Sequence, residues 1–335
     1  MLRKVAAFLL LSAAALWAQP SERHFTFTYK FHLNDVPSGQ KLRLWIPMAA
    51  SDAFQTVRLV SAKGDLPLKR TRESEYGNSL FYAEAPKATR ARYDFEIVYD
   101  VVRRERAVDL PHAASPATPL PGSTFRATSA AGASPSPHEL HRFLQPDRLV
   151  PVTGLPAELA AREVAGRTTE LAKARALYEY VYRTLRYDKS GTGWGQGDVL
   201  YACDARKGNC TDFHSLFIAM ARSQGIPARF EIGFSIPPGQ THGEIVGYHC
   251  WADFYLDGSG WVPVDISEAW KHPEKHDYFF GHHDVDRVQF SLGRDLTLSP
   301  HQEGASLNYF LYPYAELGGK EYGNVVSEFS FAEVR

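Results

Sequence analysis

The first clear pattern along the chain is an alternation. Phe25, Phe27, Tyr29 and Phe31 are separated by Thr26, Thr28 and Lys30 and flanked by His24 and His32. A period of two predicts a strand with one buried face. The habit returns at 41–46, 56–60, 79–82 and 93–99, with turn residues such as Lys63-Gly64-Asp65 and Tyr76-Gly77-Asn78 between the runs. Short strands punctuated in this way predict a β-sandwich over 22–108. The His and Asp residues of this half are scattered and read as solvated surface.

Residues 109–150 break the pattern. Pro, Ala, Ser and Thr dominate from Leu110 to about Pro137, with Leu120 and Phe125 the large apolar exceptions. This composition predicts an interdomain linker. The period then changes. Leu171, Ala174, Leu177, Tyr178, Val181 and Leu185 fall at helical spacing, which predicts an amphipathic helix over about 169–186. A glycine-rich loop, 190–198, follows. A second helix is expected from about Cys210 to Gln224, stopped by Gly225 and Pro227. Strands are expected at 229–236, 247–256 and 261–265. Helices followed by strands predict an α+β domain over 151–335.

Ahead of these elements, Arg3 and Lys4 precede the apolar run Val5–Leu11, extended by Ala13–Trp17, with a cleavage point at Ala18. This layout predicts a signal peptide at 1–18. The run is shorter than the roughly 20 residues that span a bilayer, so no stable membrane insertion is expected after cleavage. The mature protein is expected to be exported, to a periplasm or to the medium. Lys+Arg total 37 and Asp+Glu 38 in 335 residues. That balance argues against a nucleic-acid partner, which selects for a basic excess. Three cysteines, Cys203, Cys210 and Cys250, leave at least one thiol unpaired. A Cys203–Cys250 disulfide would leave Cys210 free.

The candidate chemistry lies between Cys210 and Asp265. In Lys207-Gly-Asn-Cys-Thr-Asp212, Asn209 is a helix N-cap and Asp212 completes a box-like cap. Cys210 then occupies the first helical position, where free N–H groups and the helix dipole favour a thiolate. Asp212 opposes this if its charge comes close. In the strand Gly247–Leu256, alternation puts His249, Trp251, Asp253 and Tyr255 on one face and Cys250, Ala252, Phe254 and Leu256 on the other. The turn Asp257-Gly-Ser-Gly260 folds the next strand back into a hairpin and brings Asp265 near His249. A carboxylate there can fix the imidazole tautomer. His214, at i+4 from Cys210, lacks the paired spacing of a structural metal site, so no metal is expected. The runs 271–276 and 282–283 read as solvated loops.

Gly208-Asn-Cys-Thr-Asp212, Tyr248-His-Cys-Trp251, Trp261-Val-Pro-Val-Asp265 and the helix tail Ala221–Arg229 resemble the transglutaminase-like superfamily. The resemblance implies an N-terminal sandwich followed by a papain-like cysteine-enzyme core. It implies that Cys210 is the nucleophile, His249 the base and acid, and Asp265 the group that orients the imidazole. The implied activity is acyl transfer to an amine, or hydrolysis, of protein or peptide amides through a thioester, with no cofactor. Trp194 and Gln196, both in the glycine-rich loop, are the candidates for a second oxyanion donor. The alternative is a non-catalytic exported module that binds protein through the same scaffold.

Overall fold

The computed structural model describes residues 21–110 and 135–334. The expected signal peptide and residues 111–134 of the expected linker lie outside the described residues.

The alternating strand Glu22–Leu33 buries Phe25, Phe27, Tyr29, Phe31 and Leu33, as its period requires. It lies in a five-stranded antiparallel sheet ordered His242–Glu244, Val325–Glu333, Glu22–Leu33, Tyr93–Arg104, Gln55–Gly64. A second antiparallel sheet is ordered Lys320–Glu321, Tyr314–Leu317, Leu42–Pro47, Ser79–Ala85, Lys69–Arg72. Leu42, Leu44 and Ile46 join the aromatic side chains of the first sheet in one core. Trp45, on the opposite face, packs with Leu296, Leu298 and Phe310.

The sandwich is therefore not confined to 22–108. Residues 314–333, expected with the catalytic domain of 151–335, complete both of its sheets. Without Val325–Glu333, one edge of Glu22–Leu33 would carry unpaired backbone groups. The linker of 109–150 is corrected in the same way, as far as it is described. Pro137–Arg142 is a helix with a Ser136/Glu139 capping box. The following segment is packed: Phe143 meets Trp261 at 4.9 Å and its carbonyl accepts from Ala228 N at 3.0 Å. The buried Asp147 binds Arg222 at 2.6 Å and Arg142 at 2.9 Å.

The second unit is built on a four-stranded antiparallel sheet ordered Gly260–Val264, His249–Leu256, Ala228–Ser235, Arg287–Leu292. The helix Cys210–Ser223 packs against it, buried through Arg222. Leu155–Glu163, Glu170–Thr184, Val199–Ala205 and Ile266–Lys271 surround that helix. Phe234 and Phe290 of this sheet meet Phe27 of the sandwich at 5.3 and 5.4 Å between ring centroids. One apolar core runs through both units.

Candidate active site

Asn209 caps the buried helix: its side chain accepts from Thr211 N at 2.9 Å, and Asp212 Oδ2 accepts from Asn209 N at 2.8 Å. Cys210 is the first helical residue. The Asp212 carboxylate also accepts from Gly195 N at 2.8 Å and Gly197 N at 3.0 Å. It thus clamps the glycine-rich loop to the helix start. Burial and the charge of Cys210 push its carboxyl up even so.

The hairpin register places Val264 opposite Ala252, so Asp265 follows the strand end and meets the imidazole of His249. His249 Nε2 and Asp265 Oδ2 are 2.6 Å apart, and both residues are buried. Asp265 is also an N-cap. Its Oδ1 accepts from Glu268 N and from Ser267 Oγ, each at 3.1 Å. Arg287 Nη1 donates to Oδ2 at 3.0 Å. Four donors leave the carboxylate one orientation.

Burial alone would lower the basicity of His249. The Asp265 charge and hydrogen bond outweigh it, helped by Cys210, and push the imidazole up to about 10. Burial alone would raise the Cys210 thiol. Its interactions with Cys250 and His249 and the imidazolium charge hold it well below the usual thiol range. His249 and Arg287 likewise hold the Asp265 carboxyl well below the carboxylate range, against its burial. The groups form a buried row in the order Cys210, His249, Asp265, Arg287, in which each neighbour favours the charged form of the next.

The structure brings Cys210, His249 and Asp265 together. It does not hydrogen-bond the side chain of Trp194 or Gln196 into this cluster. The Trp194 indole N–H donates to Gly191 O at 3.1 Å, while Gln196 is exposed and its carbonyl accepts from Arg294 and Asn308. The Tyr248 hydroxyl joins the helix start instead, 2.8 Å from both Asn209 Nδ2 and Thr211 Oγ1. Cys203, Cys210 and Cys250 are free thiols. Cys250 faces the helix, 3.6 Å from Thr211 Oγ1, while Cys203 lies on Val199–Ala205.

His214 is neutral. Burial brings it down to about 4, and Nε2 accepts the Ile266 N–H at 3.0 Å. The 282–283 run is not a solvated loop. His283 is fully buried, because its strand pairs with Arg106–Ala107 and its ring packs on Trp251. The strand face that His249 shares with Trp251 and Asp253 is dry: Asp253 binds Arg106 at 3.0 Å and Arg229 at 2.7 Å. Arg287 and Ser267 have no place in the sequence reading, and Tyr248 enters it only within the Tyr248-His-Cys-Trp251 run, with no role of its own. A charged first strand residue, a serine and a tyrosine carry no spacing signal of their own.

Cys210 is 1 % exposed and His249 3 %. The sulfur lies beneath other side chains, not on the floor of an open cleft. A groove of about 1860 Å³ lies elsewhere, between Leu110, Leu171, Arg175 and Phe280. Among the described residues, no helix is long and apolar enough to cross a membrane.

Residues 157–266 match the profile of the transglutaminase-like superfamily. An uncharacterized protein of Haemophilus influenzae is 27% identical, with 95% of each chain covered. A candidate cysteine protease of Cytophaga hutchinsonii is similar in structure, with a TM-score of 0.57 at 16% identity, covering 95% of this chain and 92% of that one. The periplasmic domain of TgpA from Pseudomonas aeruginosa, bound to ethylmercury, matches at a TM-score of 0.38 and 15% identity, covering 76% of this chain and 92% of that domain.

Proposed function

We propose, for a chain that belongs to the transglutaminase-like superfamily through its 157–266 core, that it is an exported cysteine enzyme acting on protein or peptide amides. The observation that carries this reading is the buried row in which Cys210, His249 and Asp265 meet, with the thiol held low and the imidazole held high. A structural cysteine in an apolar core has its ionisation suppressed, not promoted.

The Cys210 thiolate attacks the amide carbonyl. Its electron pair forms the C–S bond and the carbonyl becomes an oxyanion. The Cys210 N–H, at a helical position without an intrahelical acceptor, is one donor for that oxyanion. The second donor is assigned to the glycine-rich loop, with Trp194 and Gln196 as candidates. As the tetrahedral centre collapses, the imidazolium gives its proton to the departing ammonia or amine, leaving a thioester. Neutral His249 then takes a proton from water or from an acceptor amine, which attacks the thioester and regenerates the thiolate. Asp265 keeps its charge throughout and holds the imidazole in register.

Burial of the sulfur favours the alternative, a protein-binding module that keeps the scaffold without turnover. One experiment decides between them. The mature chain is incubated with a glutamine-containing peptide, with and without a primary amine, and the products are weighed. Mass added from the amine indicates acyl transfer. Conversion of the glutamine to glutamate, or a cut backbone, indicates hydrolysis. No change in any arm, with no acyl adduct on Cys210, leaves the binding module.

A further inference from the structure

Arg287 stands outside the three residues whose chemistry the sequence announces, yet its guanidinium is buried in their hydrogen-bond chain. Nη1 donates to Asp265 Oδ2 at 3.0 Å, the oxygen that also faces His249 Nε2 at 2.6 Å. Nε and Nη2 donate to Asp284 Oδ1 at 3.2 and 3.1 Å. The guanidinium lies over Trp251, 4.9 Å from the ring centroid. That indole is itself fixed, its N–H donating to Glu231 Oε2 at 2.6 Å. Two carboxylates and an aromatic face thus hold a planar fork, a set of contacts that a point-charge ammonium cannot reproduce.

We propose that Arg287 is a positioning residue for the amide chemistry: it locks Asp265 in line with His249 and limits how tightly that carboxylate holds the imidazole proton. The inference rests on the cysteine-enzyme reading given above.

Two features of the geometry carry it. Asp265 Oδ1 is already pinned by Ser267 and Glu268, so the Arg287 bond to Oδ2 completes the restraint on the carboxylate. Oδ2 is also shared between two cationic donors. An oxygen serving His249 alone would grip its proton harder, and the imidazolium would be a poorer acid toward a leaving amine. The other groups around His249 do not do this. Glu268, 4.0 Å from Nε2 and paired with Lys271 at 2.6 Å, acts in the opposite sense, its charge raising the imidazole. His214 lies 3.6 Å from Asp265 and is neutral. Cys210 and Cys250 lie on the helix side, and His283, behind Trp251, is uncharged. Arg287 is the guanidinium bonded to Asp265, and Asp284 is its backstop.

The test is an NMR titration of the His249 ring in the full chain carrying labelled histidine, with the signal assigned by its loss in His249→Gln. Wild type is compared with Arg287→Met, Arg287→Lys and Asp284→Asn. A cation about 6 Å from the ring, acting through an effective dielectric of about 20, depresses the midpoint by roughly one to two pH units. Arg287→Met therefore moves the midpoint up by about that much. Asp284→Asn frees the guanidinium charge to act on Asp265 and moves the midpoint down. Arg287→Lys keeps the midpoint within about half a unit of wild type. On a substrate found by the peptide assay, it lowers kcat roughly tenfold with KM unchanged, as loss of positioning does.

Simple loosening of the site would move both charge variants in one direction. The proposal is overturned if Arg287→Met titrates at or below wild type, or if Asp284→Asn titrates at or above it. Should Arg287→Met not fold, Asp284→Asn, a change at a partly exposed side chain, decides alone. The underlying enzyme reading fails separately. A wild-type chain with no Cys210 thiolate below about pH 8 sinks that reading whatever the Arg287 variants do.

Discussion

Asp265→Asn isolates the electrostatics of the site at almost constant shape. The carboxylate takes four donors: His249 and Arg287 on one oxygen, Ser267 and Glu268 N on the other. An amide has one acceptor end. If its oxygen faces His249 and Arg287, its NH2 opposes the Glu268 N–H. If it is flipped, the NH2 opposes the Arg287 donor. Neither pose satisfies the site, and neither carries charge. His249, held at about 10 chiefly by Asp265, then falls to or below its ordinary value near 6.5. That drop is worth at most about 5 kcal/mol at 1.36 kcal/mol per unit, and relaxation of the site reduces it. The thiol loses its cationic partner and follows burial upward. Thiolate absorbance in the ultraviolet reads this directly and needs no reagent to reach the buried sulfur. With Cys210→Ser as the blank, wild type keeps the thiolate signal well below the usual thiol range, whereas Asp265→Asn gains it only within that range or above it. Cys203, pushed up to about 11, and Cys250, pushed well above the thiol range, stay silent. The stability that the raised imidazole contributes is full below about pH 6.5 and is lost as pH rises through about 10. A thiolate signal that persists in Asp265→Asn to as low a pH as in wild type would refute the chain of influence from carboxylate to sulfur.

Three further outcomes are expected. His214, held neutral down to about 4 by burial, refuses a proton that the unfolded chain accepts near 6.5, so it costs the fold up to about 3 kcal/mol as pH falls from 6.5 toward 4. Urea unfolding of His214→Gln should show a correspondingly flatter acid slope than wild type, and equal slopes would exclude the assignment. At Gly233 an added Cβ would sit 1.9 Å from the Val288 carbonyl, so Gly233→Ala should cost about 2–3 kcal/mol and displace the strand that begins with Arg287, weakening the Cys210 thiolate signal. Phe290→Ala removes a ring that meets Phe27, Tyr29, Tyr99 and Phe234. It should cost about 3–5 kcal/mol while leaving one calorimetric transition, and two separated transitions would contradict a shared core.

The strands with strict alternation were legible because a period of two has one physical meaning when one face is buried. The helix Cys210–Ser223 was legible from its Asn209 cap, and the meeting of His249 and Asp265 from a hairpin register set by a local turn, whereas the place of Cys210 beside them was implied by the family resemblance and not by any local pattern. The pairing of 325–333 with 22–33 had no local signal, since the partners lie about 300 positions apart and only the unpaired edge of the first strand demands one. The 137–142 helix did have a signal: Ser136 and Glu139 around Pro137 spell a capping box, hidden in a stretch whose composition reads as linker. Asp198, capping Val199–Ala205, is a similar case. His283 and Arg287 were illegible because their burial is created by Arg106 and Trp251, which come from distant segments.

Because residues 325–333 supply the neighbour of 22–33, that strand waits on the ribosome for a partner made about 300 positions later. Until then the aromatic row from Phe25 to Phe31 has no Phe329 to cover it. Native topology is thus out of reach of a nascent chain until residues 325–333 have emerged, and its sandwich strands stay pliable and sticky until then. Removal of residues 325–333 should accordingly harm solubility more than it harms any single contact.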